Sequence, residues 1–439
     1  MTVEESICRY AQVAPDKIAV ECEGSRVSYS ELWHRIKQRA SELVENGLKP
    51  HRPYVFRATQ DAGFVVAYCA VHYAGAIAVP LESKASDESF ESVKAEVESC
   101  DYPEDVADIL YTTGTTGKSK GVMITKACLV ASADNFISGM PFTSDLLFVI
   151  SGPLNHIASL FKMHPTLTAG GTVCILDGLR DINAFFKVFE LPYPKFATFL
   201  VPASIRLLLQ FSCDRLSALA DKVSFIETGA APITRRDMEL LSKALPHSRL
   251  YNTLGGTEIG SVCTYDFNDG KYMEGCIGRP FKNSKVEFTP EGGIVVSGPV
   301  IMKGYVADAE ATNRVLKDGK VYTSDMGFMD EDGLIHLKGR QGDVINVGGY
   351  KVDPAEVESA VSSYEPVKDC VCVADTHPVI GTVLKVLVVL EDGADLDKHA
   401  LALYLKSKLD AYKLPTYYEA VDSIKRTYNG KLDRKYYKK

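Results

Sequence analysis

The run from Asp108 to Val122 is the stretch of this chain best equipped for chemistry. An apolar segment ending at Tyr111 leads into three glycines, four threonines, a serine and two lysines within Thr112–Gly121. Glycines let backbone N–H groups approach an anion closely, hydroxyls add donors, and lysines add positive charge. Directly after a strand, that is the composition of a phosphate cradle. It is not a Walker loop, which needs glycine five residues before Gly117, where Thr112 stands. The competing reading is a polar surface loop, and the density of Gly, Thr and Lys weighs against it. Metal and thiol chemistry have less support. The eleven cysteines are scattered, odd in number and contain no CxxC pair, so zinc ribbons, thioredoxin-like chemistry and a disulfide scaffold are poor fits. Cys370 and Cys372 are assigned to opposite faces of one strand.

The elements that must position this loop form an alternating series. Strand-length apolar runs occur at Asp108–Tyr111, Leu146–Ile150, Thr172–Leu176, Phe196–Val201 and Val223–Glu227, with helical patterns between them. An amphipathic helix is expected from Tyr29 to about Glu45, stopped by Asn46-Gly47. The uncharged stretch Gly63–Leu81 is read as a buried helix (Phe64–Tyr73) followed by a buried strand (Ala76–Leu81), not as a membrane span. Such alternation predicts an α/β body with largely parallel sheets. From Lys285 the texture changes to hairpins at Lys285–Thr289, Gly293–Ser297, Gly319–Thr323 and Gly333–Lys338, punctuated by Gly292 and Gly333. The expected fold is a large N-terminal domain of α/β sheets (1–339) with a small β subdomain at about 285–338. A small α+β C-terminal domain (340–439) follows. With 439 residues, 46% apolar and 24% charged, the chain is sized for two to three globular domains. Its net charge of −8 argues against wholesale nucleic-acid binding. Acidic Glu4 and Glu5 stand where a secretory leader would be positive, so a soluble cytoplasmic protein with reduced thiols is expected.

Seven further segments, in order, complete a resemblance. Ser151–His156, Gly229-Ala230-Ala231-Pro232, Asn252–Glu258, Gly293–Tyr305, Tyr322–Asp325, Gly339–Glu358 and Asn429-Gly430-Lys431 all match one pattern. With Tyr111–Val122 as phosphate loop, the chain resembles the adenylate-forming superfamily: acyl- and aryl-CoA synthetases, peptide-synthetase adenylation domains and beetle luciferases. It is most similar to a free-standing acyl-CoA ligase.

The resemblance implies two half-reactions, adenylation of a carboxylic acid by ATP and then transfer of the acyl group to a thiol. It implies that Thr112, Thr113, Gly114, Thr115, Thr116, Gly117 and Lys118 grip the phosphates. Glu258 would hold Mg²⁺ and Thr257 would contact the α-phosphate. Gly229, Ala230, Ala231, Leu254 and Gly255 would border the adenine, and Asp325 and Arg340 the ribose. Lys431 would be the catalytic cation and His156 would stand beside the substrate carboxylate. Gly348, Gly349 and Lys351 would guide the pantetheine of CoA, with Gly342 as hinge. Taken alone, each side chain has a plainer reading: a solvated Glu258, a turn-forming Asp325, a surface ion pair for Arg340, a packed core His156, a solvated Lys431 in a basic tail.

Some positions depart from the family. Leu254 stands where Tyr is usual, Ser324 where Gly is usual, and Gly342 at the common Asp or Lys hinge. Only 30 residues separate Pro80 from Tyr111, which implies a trimmed first subdomain, and a homodimer covering the exposed wall is one expected consequence. The segment 152–160 lacks the Phe-Asp pattern that pairs with an amino-acid ammonium, so an uncharged acyl or aryl acid is expected. CoA is the expected acceptor. The alternatives are the phosphopantetheine of a separate carrier protein and, in a different class, a non-catalytic nucleotide-binding homologue.

Overall fold

The structure is a computed structural model that describes residues 1–22, 24–112, 119–347, 350–427 and 432–437, with the backbone alone at Lys351 and Lys435. Six neighbouring strands of the larger sheet are parallel, in the order Arg249–Gly256, Val223–Gly229, Lys195–Phe199, Leu146–Ile150, Thr172–Ile175 and Ile18–Cys22. Their burial on both faces explains why they read as continuous apolar runs. One face meets helices Lys126–Gly139 and Ile157–Thr168 through Phe148, Phe225, Phe136 and Leu160. The other meets helices Ile182–Val188, Pro202–Ser217 and Arg235–Ala244 through Leu147, Val149, Phe185, Leu208 and Met238.

Beyond Arg249–Gly256 the same sheet turns antiparallel through Gly260–Asp266, Cys276–Pro280, Ile335–Arg340, Lys320–Met329, Gly293–Ser297 and Lys285–Phe288. The expected hairpins are therefore present, but they are stitched to the main sheet through Cys276–Pro280. Two of their strands run past the expected ends at Thr323 and Lys338, which carries Asp325 and Arg340 into strands rather than turns.

A smaller sheet has the order Gly304–Tyr305, Gly121–Thr125, Val106–Tyr111, Ile77–Glu82, Pro53–Ala58. The last three strands are parallel, and helices Ala62–Tyr73 and Asp87–Glu98 make the crossovers. Helix Ala62–Tyr73 is buried through Phe64, Tyr68 and Cys69, as its uniform apolarity requires. Among the described residues no helix is long and apolar enough to cross a membrane. Helix Tyr29–Glu45 begins where the Ser28 hydroxyl accepts from Glu31 N at 3.2 Å, and Gly47 follows with φ +93°.

The C-terminal part has its own core. Strands Val367–His377, Gly381–Leu390 and Tyr417–Ala420 pack with helices Pro354–Ser362 and Lys398–Lys406 around Val357, Val361, Val386 and Leu401. Cys370 and Cys372 both enter that core, so the assignment to opposite faces is corrected: residues i and i+2 of a pleated strand share a face.

Candidate active site

Because the six strands are parallel, the segments that follow them emerge on one edge of the sheet. The strands Leu146–Ile150, Val223–Gly229 and Arg249–Gly256 thus deliver Ser151–His156, Ala230–Pro232 and Thr257–Ile259 to the same edge. Gln60, leaving the smaller sheet, fastens it there: its Nε2 donates to the carbonyls of Gly152 (2.9 Å) and Leu176 (3.3 Å), and its Oε1 accepts from Leu154 N (2.8 Å). Gln60 belongs to no local motif, so sequence reading missed it.

The loop expected to grip phosphate is flanked by two antiparallel strands, Val106–Tyr111 and Gly121–Thr125, rather than by a strand and a helix. Thr112 closes the base of this hairpin: its N–H donates to the Lys120 carbonyl at 3.0 Å, and its own carbonyl accepts from the Ser119 hydroxyl. Thr113, Gly114, Thr115, Thr116, Gly117 and Lys118 lie outside the described residues.

The Thr257-Glu258 turn meets this base through Tyr305. Backbone pairing of Gly304–Tyr305 with Met123 and Val122 lays the segment along the hairpin's second strand. The Tyr305 hydroxyl donates to Glu258 Oε1 at 3.1 Å, and Lys120 Nζ lies 4.6 Å from the centre of the Tyr305 ring. Met302 N donates to the Glu258 carbonyl at 2.9 Å, which fixes the turn. Burial and the neighbouring Glu258 carboxylate raise the Tyr305 hydroxyl above its ordinary pKa, so it stays a donor. One carboxylate oxygen of Glu258 is thereby oriented. Among the described residues there is no cluster of three acidic, His or Cys groups able to hold a metal by protein ligands alone.

Gly229 and Leu254 are set by the sheet. Gly229 is in register with Thr253, and a Cβ on Gly229 would sit 2.6 Å from the Thr253 carbonyl oxygen. Ala230 follows at φ +66°, a left-handed conformation that costs a non-glycine residue on the order of 1 kcal/mol. Ala230 and Gly255 are exposed and Ala231 is half-buried, whereas Leu254 is buried in the main core. Asp325 and Arg340 are cross-strand partners, with Arg340 Nε donating to Asp325 Oδ1 at 2.7 Å. That carboxylate holds the guanidinium further above its ordinary pKa. His156 is half-buried and caps helix Ile157–Thr168 with its backbone, accepting Ser159 N and Leu160 N at its carbonyl.

Gly348, Gly349 and Lys431 lie outside the described residues, and Lys351 is described only as backbone paired with Asn346. The flanks of Lys431 are anchored: Arg426 binds both oxygens of Asp369 (2.9 and 2.7 Å), and Arg434 binds both oxygens of Glu358 (2.9 and 2.7 Å). These two arginines of the basic tail are paired and partly buried. Gly342 is exposed with open space where a Cβ would stand. The position that demands glycine is Gly339, at φ +115°, where a Cβ would strike the Asp353 carboxylate that caps helix Pro354–Ser362.

The C-terminal part rests on the same edge of the sheet. Arg206 bridges Asp237 (2.9 Å) and Asp369 (3.3 Å), Arg236 reaches the Glu365 carbonyl (3.3 Å), and Ser359 donates to Glu274. Residues 8–100 and 83–306 match the family model described as AMP-binding enzyme, and 356–431 match that of the AMP-binding enzyme C-terminal domain. The chain belongs to the AMP-binding enzyme family. Two curated relatives span nearly its whole length. A feruloyl-CoA synthase of an Amycolatopsis species is 30% identical over 97% of this chain and 96% of its own. A 2-succinylbenzoate–CoA ligase of Listeria monocytogenes is 25% identical over 96% of each. Among solved structures, ATP-bound MatB from Rhodopseudomonas palustris has the same fold, with TM-score 0.89 and 23% identity over 100% of this chain and 98% of that one. The two AMP-binding matches overlap at 83–100, the region expected to be trimmed. There helix Asp87–Glu98 still completes the crossover, and its Glu96 accepts from the Tyr111 hydroxyl at 2.6 Å.

Proposed function

We propose that this AMP-binding enzyme is an ATP-dependent acyl- or aryl-CoA ligase. What carries the reading is the junction of the phosphate hairpin with the Thr257-Glu258 turn through Tyr305, in a chain whose full-length relatives are named as CoA ligases. A carboxylate oxygen attacks the α-phosphorus of ATP; the bond to the bridging oxygen breaks, and pyrophosphate leaves. The thiol of CoA then attacks the acyl carbon, a C–S bond forms, the C–O bond to AMP breaks, and the thiol proton passes to solvent.

Each side chain has a part in this reading. Thr112 and the loop to Lys118 position the β- and γ-phosphates, and Thr257 stands at the α-phosphate. Glu258 would hold Mg²⁺ together with the phosphates, and the ion would supply charge neutralisation when bound. Gly229, Ala230, Ala231, Leu254 and Gly255 border the adenine; Leu254, buried in the core, offers no stacking ring. Asp325 offers Oδ2 to the ribose hydroxyls, with Arg340 orienting the carboxylate through Oδ1. His156 faces the substrate carboxylate from the N-cap of its helix. Lys431 stabilises the charge that grows on the transferring phosphoryl group. In the second half-reaction the 340–439 domain turns about Gly342, and Gly348, Gly349 and Lys351 guide the pantetheine.

Acid-dependent ATP–pyrophosphate exchange tests the reading. Exchange with some member of an acyl and aryl acid panel is expected, and Lys431→Ala should lower it by about 100-fold or more. Thioester should form when CoA is added. Exchange without CoA turnover would assign the acceptor to a carrier protein; nucleotide binding without any exchange would favour a non-catalytic role.

A further inference from the structure

The Gln60 carboxamide ties three backbone groups of the candidate site, and only one orientation of the amide serves all three. The carbonyls of Gly152 and Leu176 need donors, and the Leu154 N–H needs an acceptor. Both N–H groups of Nε2 and a lone pair of Oε1 are thereby used. Leu176 N in turn donates to the Ile150 carbonyl at 2.9 Å, so the clamp closes across the ends of strands Leu146–Ile150 and Thr172–Ile175.

The clamp is held on its own side. Gln60 follows strand Pro53–Ala58 and precedes Asp61, whose carboxylate accepts from Phe64 N at 3.2 Å and from the Thr59 hydroxyl at 2.7 Å, capping helix Ala62–Tyr73. The clamped segment is tightly packed as well. Leu154 is fully buried, and a Cβ on Gly152 would stand 2.3 Å from the Ser159 hydroxyl, in the first turn of helix Ile157–Thr168. The two peptide groups that Gln60 holds are those on either side of Pro153, and the Pro153 carbonyl accepts from His156 N at 3.1 Å. A single turn therefore separates the Gln60 amide from the backbone of His156. Gly152, Leu154 and Leu176 lie outside every segment assigned above to ATP.

We propose that Gln60 is a positioning residue for the substrate acid: by holding the peptide groups that flank Pro153 it fixes where His156 stands, so activation of the acid depends on it and binding of ATP does not. The inference rests on the ligase reading and on the place of His156 in it. Without the amide, two carbonyls and the Leu154 N–H must find water or move, and a segment that moves carries His156 with it. A shift of about 1 Å in a group that orients a reactant is enough to cost about 100-fold in rate.

The test is ATP–pyrophosphate exchange on the full-length protein, with the acid of the panel that is activated best, in Gln60→Glu and Gln60→Met. Glutamate keeps the shape but, ionised, sets a carboxylate against two carbonyl oxygens; methionine has similar volume and neither donates nor repels. The value of kcat/KM for the acid should fall about tenfold in Gln60→Met and about 100-fold in Gln60→Glu, partly through KM, while KM for ATP stays within about twofold of native. If Gln60 only filled space, the isosteric Glu variant would be the milder of the two. ATP should raise Tm in both variants as it does in the native protein, which checks the fold, and Gln60→Met alone carries the comparison if the Glu variant does not fold. An unchanged kcat/KM for the acid in Gln60→Met, or equal losses for acid and ATP, overturns this inference alone. Absence of exchange with every acid in the native protein, despite ATP binding, overturns the ligase reading and this inference with it.

Discussion

Tyr305 is the residue on which two candidate motifs meet. Its hydroxyl orients Glu258 and its ring receives the Lys120 ammonium, so Tyr305→Phe separates the two contacts. We expect Tyr305→Phe to slow ATP–pyrophosphate exchange about tenfold, to raise the Mg²⁺ concentration at half-maximal rate, and to leave Tm nearly unchanged. Exchange equal to the native rate would remove Tyr305 from the proposed site. Glycines divide by the same kind of reasoning. Gly229→Ala pushes a methyl against the Thr253 carbonyl and should destabilise by about 1–3 kcal/mol, read as a lower urea midpoint. Gly342→Ala meets open space and should cost less than about 0.5 kcal/mol, so any loss of thioester formation in that variant would report on hinge motion. The sequence made Glu258, Asp325 and Gly229 legible because each sits in an ordered motif. It could not say that Asp325 is already paired with Arg340, since 15 residues of strand and turn decide that register.

At the scale of elements, four segments are tied together by a buried polar chain that no motif announces. Glu4 and Asp108 flank the His72 imidazole at 2.9 and 2.8 Å, and Tyr68 donates to Asp108 at 2.7 Å while lying 3.0 Å from His164 Nε2. Helix Val3–Val13, helix Ala62–Tyr73, strand Val106–Tyr111 and helix Ile157–Thr168 are thereby joined. The two carboxylates outweigh burial and hold His72 up at about 10, whereas Glu4 is held down at about 2 by His72 against its own burial. Burial pushes His164 down to about 4. His72 therefore adds stability that is complete below its unfolded value near 6.5 and is lost as pH rises toward 10. The Glu4 contribution is complete above about 4.5 and is lost toward pH 2. Neutral His164 makes stability fall from pH 6.5 toward 4. Together they predict a urea midpoint that peaks near pH 6.5, with an alkaline limb flattened in His72→Gln; a midpoint still rising at pH 9 would refute the assignment.

Across the whole molecule, the C-terminal domain is held against the sheet edge largely by ion pairs and polar contacts centred on Arg206, Arg236 and Glu274. Such contacts are exchangeable, which suits a domain proposed to turn between half-reactions. Arg206→Ala removes the bridge between Asp237 and Asp369 and should alter the ratio of thioester formation to ATP–pyrophosphate exchange by about 3–10-fold. Both rates, measured on one preparation, check it, and an unchanged ratio would mean that the bridge does not bias the domain. By itself the sequence determined the alternating α/β body, the hairpins of about 285–338 and the ordered motifs, because apolar runs, turn residues and motif spacing are local properties. Only the tertiary structure decided that those hairpins continue the main sheet, that Val106–Tyr111 and Gly121–Thr125 pair antiparallel, and that Arg426 and Arg434 pair inside the fold. It also placed Lys162 against Glu227, 65 residues apart in the chain. Partners so distant are chosen by burial and strand order, which no short window of sequence contains.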